Sequence, residues 1–154
     1  MNMKIPQIYI DTSVFGGAFD KEFQRASLQF FKQIREGSLL SVISSLVAEE
    51  VEIAPTKVKD LFAEIFEISS FAQISHEAVS LQEAYLKAGI VTPNSRIDAL
   101  HVALATVSDC SMIVSWNFKH IVHYQKIPLY NGINQMQGCK QIGIYSPLEV
   151  INNE

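Results

Sequence analysis

This sequence predicts an α/β fold on a mainly parallel sheet with helices on both faces, and three observations predict it. Short apolar runs of strand length alternate with longer stretches whose apolar residues recur at helical spacing, an order that argues a parallel sheet. No internal repeat or low-complexity tract interrupts the alternation, and Gly and Pro are scattered as punctuation. Polar and acidic residues follow the apolar runs directly, at the strand ends where open α/β sheets bind ligands.

The first run, Ile8-Tyr9-Ile10, ends abruptly in Asp11-Thr12-Ser13 and reads as a buried strand. Gly16-Gly17 reads as a loop, and residues 19–36 as a helix with Phe23, Ala26, Leu28, Phe30, Phe31 and Ile34 on its buried side and Gly37 as the residue that ends it. Residues 39–44 form a second strand, after which Ser44-Ser45 can cap a helix through Val51. Pro55-Thr56 stops that helix and starts another through Phe66, striped by Val58, Leu61, Phe62, Ile65 and Phe66. Residues 68–74 are a short strand or a connection. Residues 76–89 are helical, with Ala78, Val79, Leu81, Ala84, Tyr85 and Leu86 as candidate buried positions. Pro93 to Ser95 opens a further helix to about Val107, and residues 112–115 are a strand. Residues 127–130 and 142–145 read as two more strands, the latter leading into a short terminal helix at 147–150.

A length of 154 residues fits one domain, 1–154, able to bury roughly two thirds of its unfolded surface. Hydrophobic residues make up 48%, yet no stretch approaches the ~20 apolar residues of a membrane span. The chain runs into its first strand without a long apolar leader, so a cytoplasmic protein with no membrane partner is expected. Cys110 and Cys139 lack C-x-x-C spacing and suit neither a disulfide framework nor structural zinc; small, inert, apolar roles are expected of both. A net charge of −4 argues against a protein that clamps nucleic-acid backbone with high affinity. It leaves room for an enzyme that meets nucleic acid locally through a metal ion, whose acidic ligands themselves lower the net charge.

Three acids occupy equivalent places at the expected sheet edge. Asp11 follows the first strand, Glu50 lies in the first turns after the second, and Asp98 lies in the first turns of Arg96-Ile97-Asp98-Ala99-Leu100-His101. Each has a plainer use: Asp11 as a helix or turn cap, Glu50 as a solvated surface residue, Asp98 as an N-terminal charge favoured by the helix dipole. Brought together, three carboxylates repel, and Mg²⁺ or Mn²⁺ with its preference for oxygen ligands is the usual compensation. His101, three residues after Asp98 and on nearly the same helical face, is either a general base or a hydrogen-bonded core residue. Ser115-Trp116-Asn117 follows another strand, so Ser115 and Asn117 can offer oxygen and amide groups to water or phosphate. Trp116 either stacks a base or packs. Phe71, Tyr85 and Tyr124 read as exposed aromatic interface material.

Taken in order, Tyr9-Ile10-Asp11-Thr12-Ser13-Val14-Phe15, Ile43-Ser44-Ser45-Leu46-Val47-Ala48-Glu49-Glu50-Val51, Asp98-Ala99-Leu100-His101-Val102-Ala103-Leu104-Ala105 and Ile113-Val114-Ser115-Trp116-Asn117-Phe118-Lys119-His120-Ile121 resemble the signature segments of PIN-domain proteins. The resemblance implies a PIN-like three-layer α/β/α sandwich and a Mg²⁺- or Mn²⁺-dependent endoribonuclease, like the VapC-like toxins of type II toxin–antitoxin modules. It implies that Asp11, Glu50 and Asp98 are metal ligands and catalytic, that Ser115 matches the usual Thr or Ser, and that Thr12, Ser13, His101 and Asn117 support the site. It also implies an RNA substrate, a cognate antitoxin partner and a homodimer. Asn117 stands where many members carry a fourth Asp; with His101 and Ser115-Trp116 it looks like a particular subgroup.

Two rivals belong to other classes. Loss of the fourth acid suits a catalytically impaired PIN-like interaction or RNA-binding module. A doubly wound phosphate-binding domain is argued against by the absence of a Walker loop and of G-x-G-x-x-G.

Overall fold

The structure is a computed structural model that describes residues 4–152. Its centre is a five-stranded, wholly parallel sheet: β1 (Gln7–Ile10), β2 (Leu40–Ser44), β3 (Ser70–Ala72), β4 (Met112–Val114) and β5 (Gly143–Tyr145), in the spatial order β3-β2-β1-β4-β5. Tyr9 pairs with Val42 on one side and Ile113 on the other. Ile8, Tyr9 and Ile10 are completely buried, as a strand covered on both faces requires, each isoleucine contributing about 1.5–3 kcal/mol of burial.

Eight α-helices, among the described residues, flank the sheet: α1 (Thr12–Gly17), α2 (Gln24–Arg35), α3 (Ser45–Val51), α4 (Thr56–Glu67), α5 (His76–Lys87), α6 (Arg96–Val107), α7 (Ile127–Met136) and α8 (Pro147–Val150). Helix α1 packs on α2, α3 and α4, and α2 on α8; α5 packs on α6 and α7. The chain runs β1→β2→β3 outward and then returns to β4→β5 on the other side of β1. Right-handed crossovers therefore put the two helix groups on opposite faces, giving the α/β/α sandwich. The direction of winding reverses between β1 and β4, and the crevice at their carboxyl ends is where such sheets bind ligands.

Several local expectations hold. Gly37 has φ +80° and closes a Schellman motif, its N–H bonding Ile34 O at 3.1 Å and the Ser38 N–H bonding Gln33 O at 3.1 Å. Ser44 caps α3 by accepting the Val47 N–H at 3.1 Å. Cys110 is buried, its thiol pushed up to about 12 by burial.

Others are corrected. Gly16 and Gly17 lie in α1, not a loop; a Cβ on Gly17 would stand 2.6 Å from Trp116 Nε1, so the residue is small because a side chain crosses it. Helix α2 starts at Gln24, after turns that occupy residues 19–23. Residues 127–130 are the first turn of α7, not a strand. Pro128 suits a first turn that needs no N–H, and the parallel neighbours β4 and β5 require a crossover, usually helical. Leu28, Val79 and Phe66 face outward, 44%, 38% and 39% exposed. Tyr85 is fully buried, edge-on to Tyr130, with its hydroxyl donating to Asn134, whereas Phe71 and Tyr124 are exposed as expected.

Candidate functional site

The two strands at the reversal point place the first residues of the site. The Asp11 N–H bonds Val114 O at 3.0 Å and the Ser115 N–H bonds Tyr145 O at 3.0 Å, so both residues extend the ladder by one step before the chain turns away. Asp11 is both the N-cap of α1 and a buried site carboxylate, 5% exposed. Its Oδ2 accepts the Ser13 hydroxyl at 2.6 Å and the Ser115 hydroxyl at 2.8 Å. Those hydroxyls in turn accept backbone N–H groups, Ser13 from Trp116 at 2.9 Å and Ser115 from Asn117 at 2.9 Å. Each hydroxyl proton is thereby directed at Asp11 Oδ2, and Oδ1 stands 3.5 Å from His101 Nε2.

Glu50 reaches the same crevice from α3. Its Oε1 accepts the Thr12 hydroxyl at 2.6 Å and lies 2.7 Å from His101 Nε2, which also stands 3.5 Å from Asp11 Oδ1. A carboxylate can only accept, so Nε2 carries a proton. On the other side of the ring, His101 Nδ1 lies 2.7 Å from the Tyr9 hydroxyl, which lies 2.8 Å from Ser44 Oγ. A continuous chain, Ser44–Tyr9–His101–Glu50–Thr12, thus crosses the sheet edge.

Electrostatics follow from that arrangement. Burial alone would push His101 down, but Asp11, the Glu50 hydrogen bond and charge, and Asp98 outweigh it and raise its pKa. Burial would raise Glu50, yet the hydrogen bond and charge of His101 and the Thr12 hydroxyl hold it below the usual range. Tyr9 is raised well above an ordinary phenol, chiefly by burial. With His101 charged, Nδ1–H donates to Tyr9, and Tyr9 donates to Ser44. His101 thus sits between two carboxylates that favour its protonated form.

Asp98, in the first turn of the almost wholly buried α6, is half-buried. Its carboxyl is raised by burial, with His120 pulling it down and Asp11 pushing it up. Asn117 Oδ1 accepts the backbone N–H groups of Lys119 at 3.2 Å and His120 at 2.9 Å, so the residue in the fourth position shapes a turn, while its side chain also helps to lower the Asp98 carboxyl. Trp116 packs: it is 7% exposed, stacked on Phe23 with centroids 4.2 Å apart, and its Nε1 donates to Ser27 at 2.8 Å.

Asp11, Glu50 and Asp98 are thus gathered at one edge with Thr12, Ser13, His101, Ser115 and Asn117. Among the described residues, however, no three Asp, Glu, His or Cys side chains close into a metal-holding group; His101 Nε2 stands 2.7 Å from Glu50 Oε1 and 3.5 Å from Asp11 Oδ1. The donor chemistry nonetheless fits a hard divalent cation. Asp11 Oδ1 and Glu50 Oε2 have no short hydrogen bond, and the Asp98 carboxyl is raised partly by the neighbouring Asp11 charge, which a cation would relieve. Sequence reasoning missed Tyr9 and Ser44 as parts of the site. The available signal was a phenol inside a buried aliphatic strand, whose hydroxyl must find a partner. It also left out His120, whose Nε2 lies 3.2 Å from Ser95 Oγ and whose buried Nδ1 has no partner.

No protein-family model matches the chain, and no curated protein matches it in sequence. Solved structures do. The structure of VapBC2 from Rickettsia felis bound to a DNA fragment from their promoter aligns with a TM-score of 0.57 at 15% identity, covering 79% of this chain and 93% of that one. The structure of FitAcB from Neisseria gonorrhoeae aligns with a TM-score of 0.59 at 11% identity, covering 93% and 99%. At these identities the likeness is one of fold, and that fold is the PIN-like sandwich that the four sequence segments resemble.

Proposed function

We propose that this chain is a Mg²⁺- or Mn²⁺-dependent endoribonuclease and the toxin of a toxin–antitoxin pair. The observation that supports the reading is that Asp11 and Asp98 lie near enough to influence each other's charge at the reversal point of the sheet, with Glu50 joined to them through His101 and with Asp11 held by Ser13 and Ser115. Sharing the fold with two PIN-domain toxin–antitoxin complexes supports it and supports an antitoxin partner. A homodimer and a cytoplasmic location belong to the same proposal; among the described residues no helix is long and apolar enough to cross a membrane.

Asp11, Glu50 and Asp98 would hold the cation, Asp11 and Asp98 directly and Glu50 directly or through water. Bound there, the ion supplies Lewis acidity toward a phosphate oxygen and eases deprotonation of water for in-line attack on the phosphodiester. Ser13 and Ser115 hold Asp11 in one orientation through Oδ2, which would leave Oδ1 for the cation. Thr12 and His101 hold Glu50. Asn117, whose side chain acts on the Asp98 carboxyl, would orient water or substrate. Asp11→Asn, purified beside wild type and assayed with Mn²⁺ on RNA, is expected to abolish metal-dependent cleavage; unchanged cleavage refutes the assignment.

Asn117 favours a second reading, an interaction or RNA-binding module with impaired catalysis, since its acceptor oxygen is spent on backbone rather than offered to the site. Calorimetric titration with Mn²⁺ separates the two: the nuclease binds the ion and Asp11→Asn weakens binding, whereas the impaired module gives no binding heat.

A further inference from the structure

Beside the carboxylates the surface carries two hollows that share one wall. The first, about 510 Å³, is bordered by Ser13 and Asn117 on the carboxylate side and by Phe23 and Trp116 on the other. The second, about 490 Å³, begins at the same Phe23–Trp116 wall and is closed by Phe118, Leu148 and Ile151, with Glu22 and Arg25 at its rim. The wall is rigid: Trp116 is stacked on Phe23 and tied to Ser27. Phe118 stands edge-on to Trp116, centroids 6.1 Å apart, and is 47% exposed; Leu148 is 58% exposed. Large apolar side chains left open beside a polar site mark a binding surface.

We infer that the second hollow is a nucleobase subsite: a base of the single-stranded RNA flanking the phosphate at the carboxylates stacks on Phe118 with its edge against the Phe23–Trp116 wall. The inference rests on the nuclease reading for its substrate. A strand whose phosphate lies at Asp11 and Asp98 and which leaves past Ser13 and Asn117 meets this aromatic surface next. An exposed ring with a guanidinium at the rim is the chemistry that holds a base without demanding its sequence. Glu22 offsets the charge of Arg25, so the hollow has little net pull on backbone phosphate and selects for the base itself.

Trp116 is the sole tryptophan, so its fluorescence reports occupancy. Metal-free protein at low salt is titrated with a nine-nucleotide oligouridylate and with an abasic oligomer of the same backbone and length. The RNA is expected to change Trp116 emission and to bind about tenfold more tightly than the abasic strand, as loss of one base–aromatic stack predicts. Phe118→Ala removes that preference and Phe118→Tyr keeps it. Equal binding of the two strands overturns the subsite, as does an undiminished preference in Phe118→Ala, including the case in which that variant weakens only a protein partner. Binding is read without cleavage, so base preference in a chain that never cuts RNA refutes the nuclease reading alone, and cleavage without base preference refutes the subsite alone.

Discussion

The Tyr9 hydroxyl lies 2.7 Å from Nδ1 of His101, linking the central strand of the sheet to the helix that carries Asp98. Both residues are buried, Tyr9 completely and His101 to 2% exposure, so neither polar end has water as an alternative partner. Through that contact the orientation of Glu50 depends on a residue in the middle of the core.

Tyr9→Phe is the direct test of the chain. Removing one oxygen leaves His101 Nδ1 without its partner and takes one from Ser44. A loss of about 1–3 kcal/mol is expected, as for buried groups left unsatisfied, read as a lower urea midpoint at unchanged slope. An unchanged midpoint would show that the chain does not stabilise the fold.

Ser115→Ala deprives Asp11 Oδ2 of one of two hydroxyl donors. Partners that orient a ligand typically account for about 10–100-fold in metal affinity, so Mn²⁺ binding by calorimetry is expected to weaken by about tenfold. Equal affinity in the variant would mean that Ser13 alone suffices.

The glycine pair in α1 separates packing from propensity. Gly17→Ala drives a methyl to 2.7 Å from Ser27 Oγ as well as into Trp116, and is expected to destabilise by about 1–3 kcal/mol with a shift in Trp116 emission. At Gly16 nothing stands within 4 Å, so Gly16→Ala is expected to stabilise by about 0.5–1 kcal/mol. Thermal melts of the two variants should therefore move in opposite directions.

His101 sets a pH dependence in the metal-free protein. Its folded pKa is raised, so its contribution to stability is fully present below the unfolded value near 6.5 and is lost as pH rises through the folded value. Glu50 is lowered, so its contribution is present above its ordinary value of 4.5 and is lost as pH falls through the folded one. The stability difference between wild type and His101→Gln is expected to be flat between these limits and to shrink above pH 6.5. NMR titration of the His101 ring should show its midpoint above that of an ordinary histidine; a midpoint at or below 6.5 contradicts the network.

Much of the fold is readable from neighbours along the chain. The Ile8-Tyr9-Ile10 run, the caps at Ser44 and Gly37, and the placement of Asp11 at a strand end and Asp98 in a first turn rest on short-range periodicity and capping, whereas Glu50, expected in the first turns after β2, sits in the last turn of the short α3. Residues 127–130 misled because four apolar-rich residues with a proline suit either a strand edge or a first helical turn, and only the need to cross from β4 to β5 decides. Tyr85 was legible two ways, as a buried position of its helix and as exposed interface material, and the first holds because its hydroxyl finds Asn134 from α7.

The order of residues was enough to name the three acids, two of them through local features, a strand end for Asp11 and a helix start for Asp98, and Glu50 through its closeness in sequence to the end of β2. It held no trace of the links from Tyr9 to His101, 92 residues away, or from Glu50 to His101, 51 residues away. Those depend on β1 lying between β2 and β4 and on α6 packing at their ends, which the burial of the whole core selects. Placing His101 between Asp11 and Glu50 is likewise a product of that packing: a ring buried away from water must find partners for both nitrogens, and Glu50 and Tyr9 are the ones the fold brings to it.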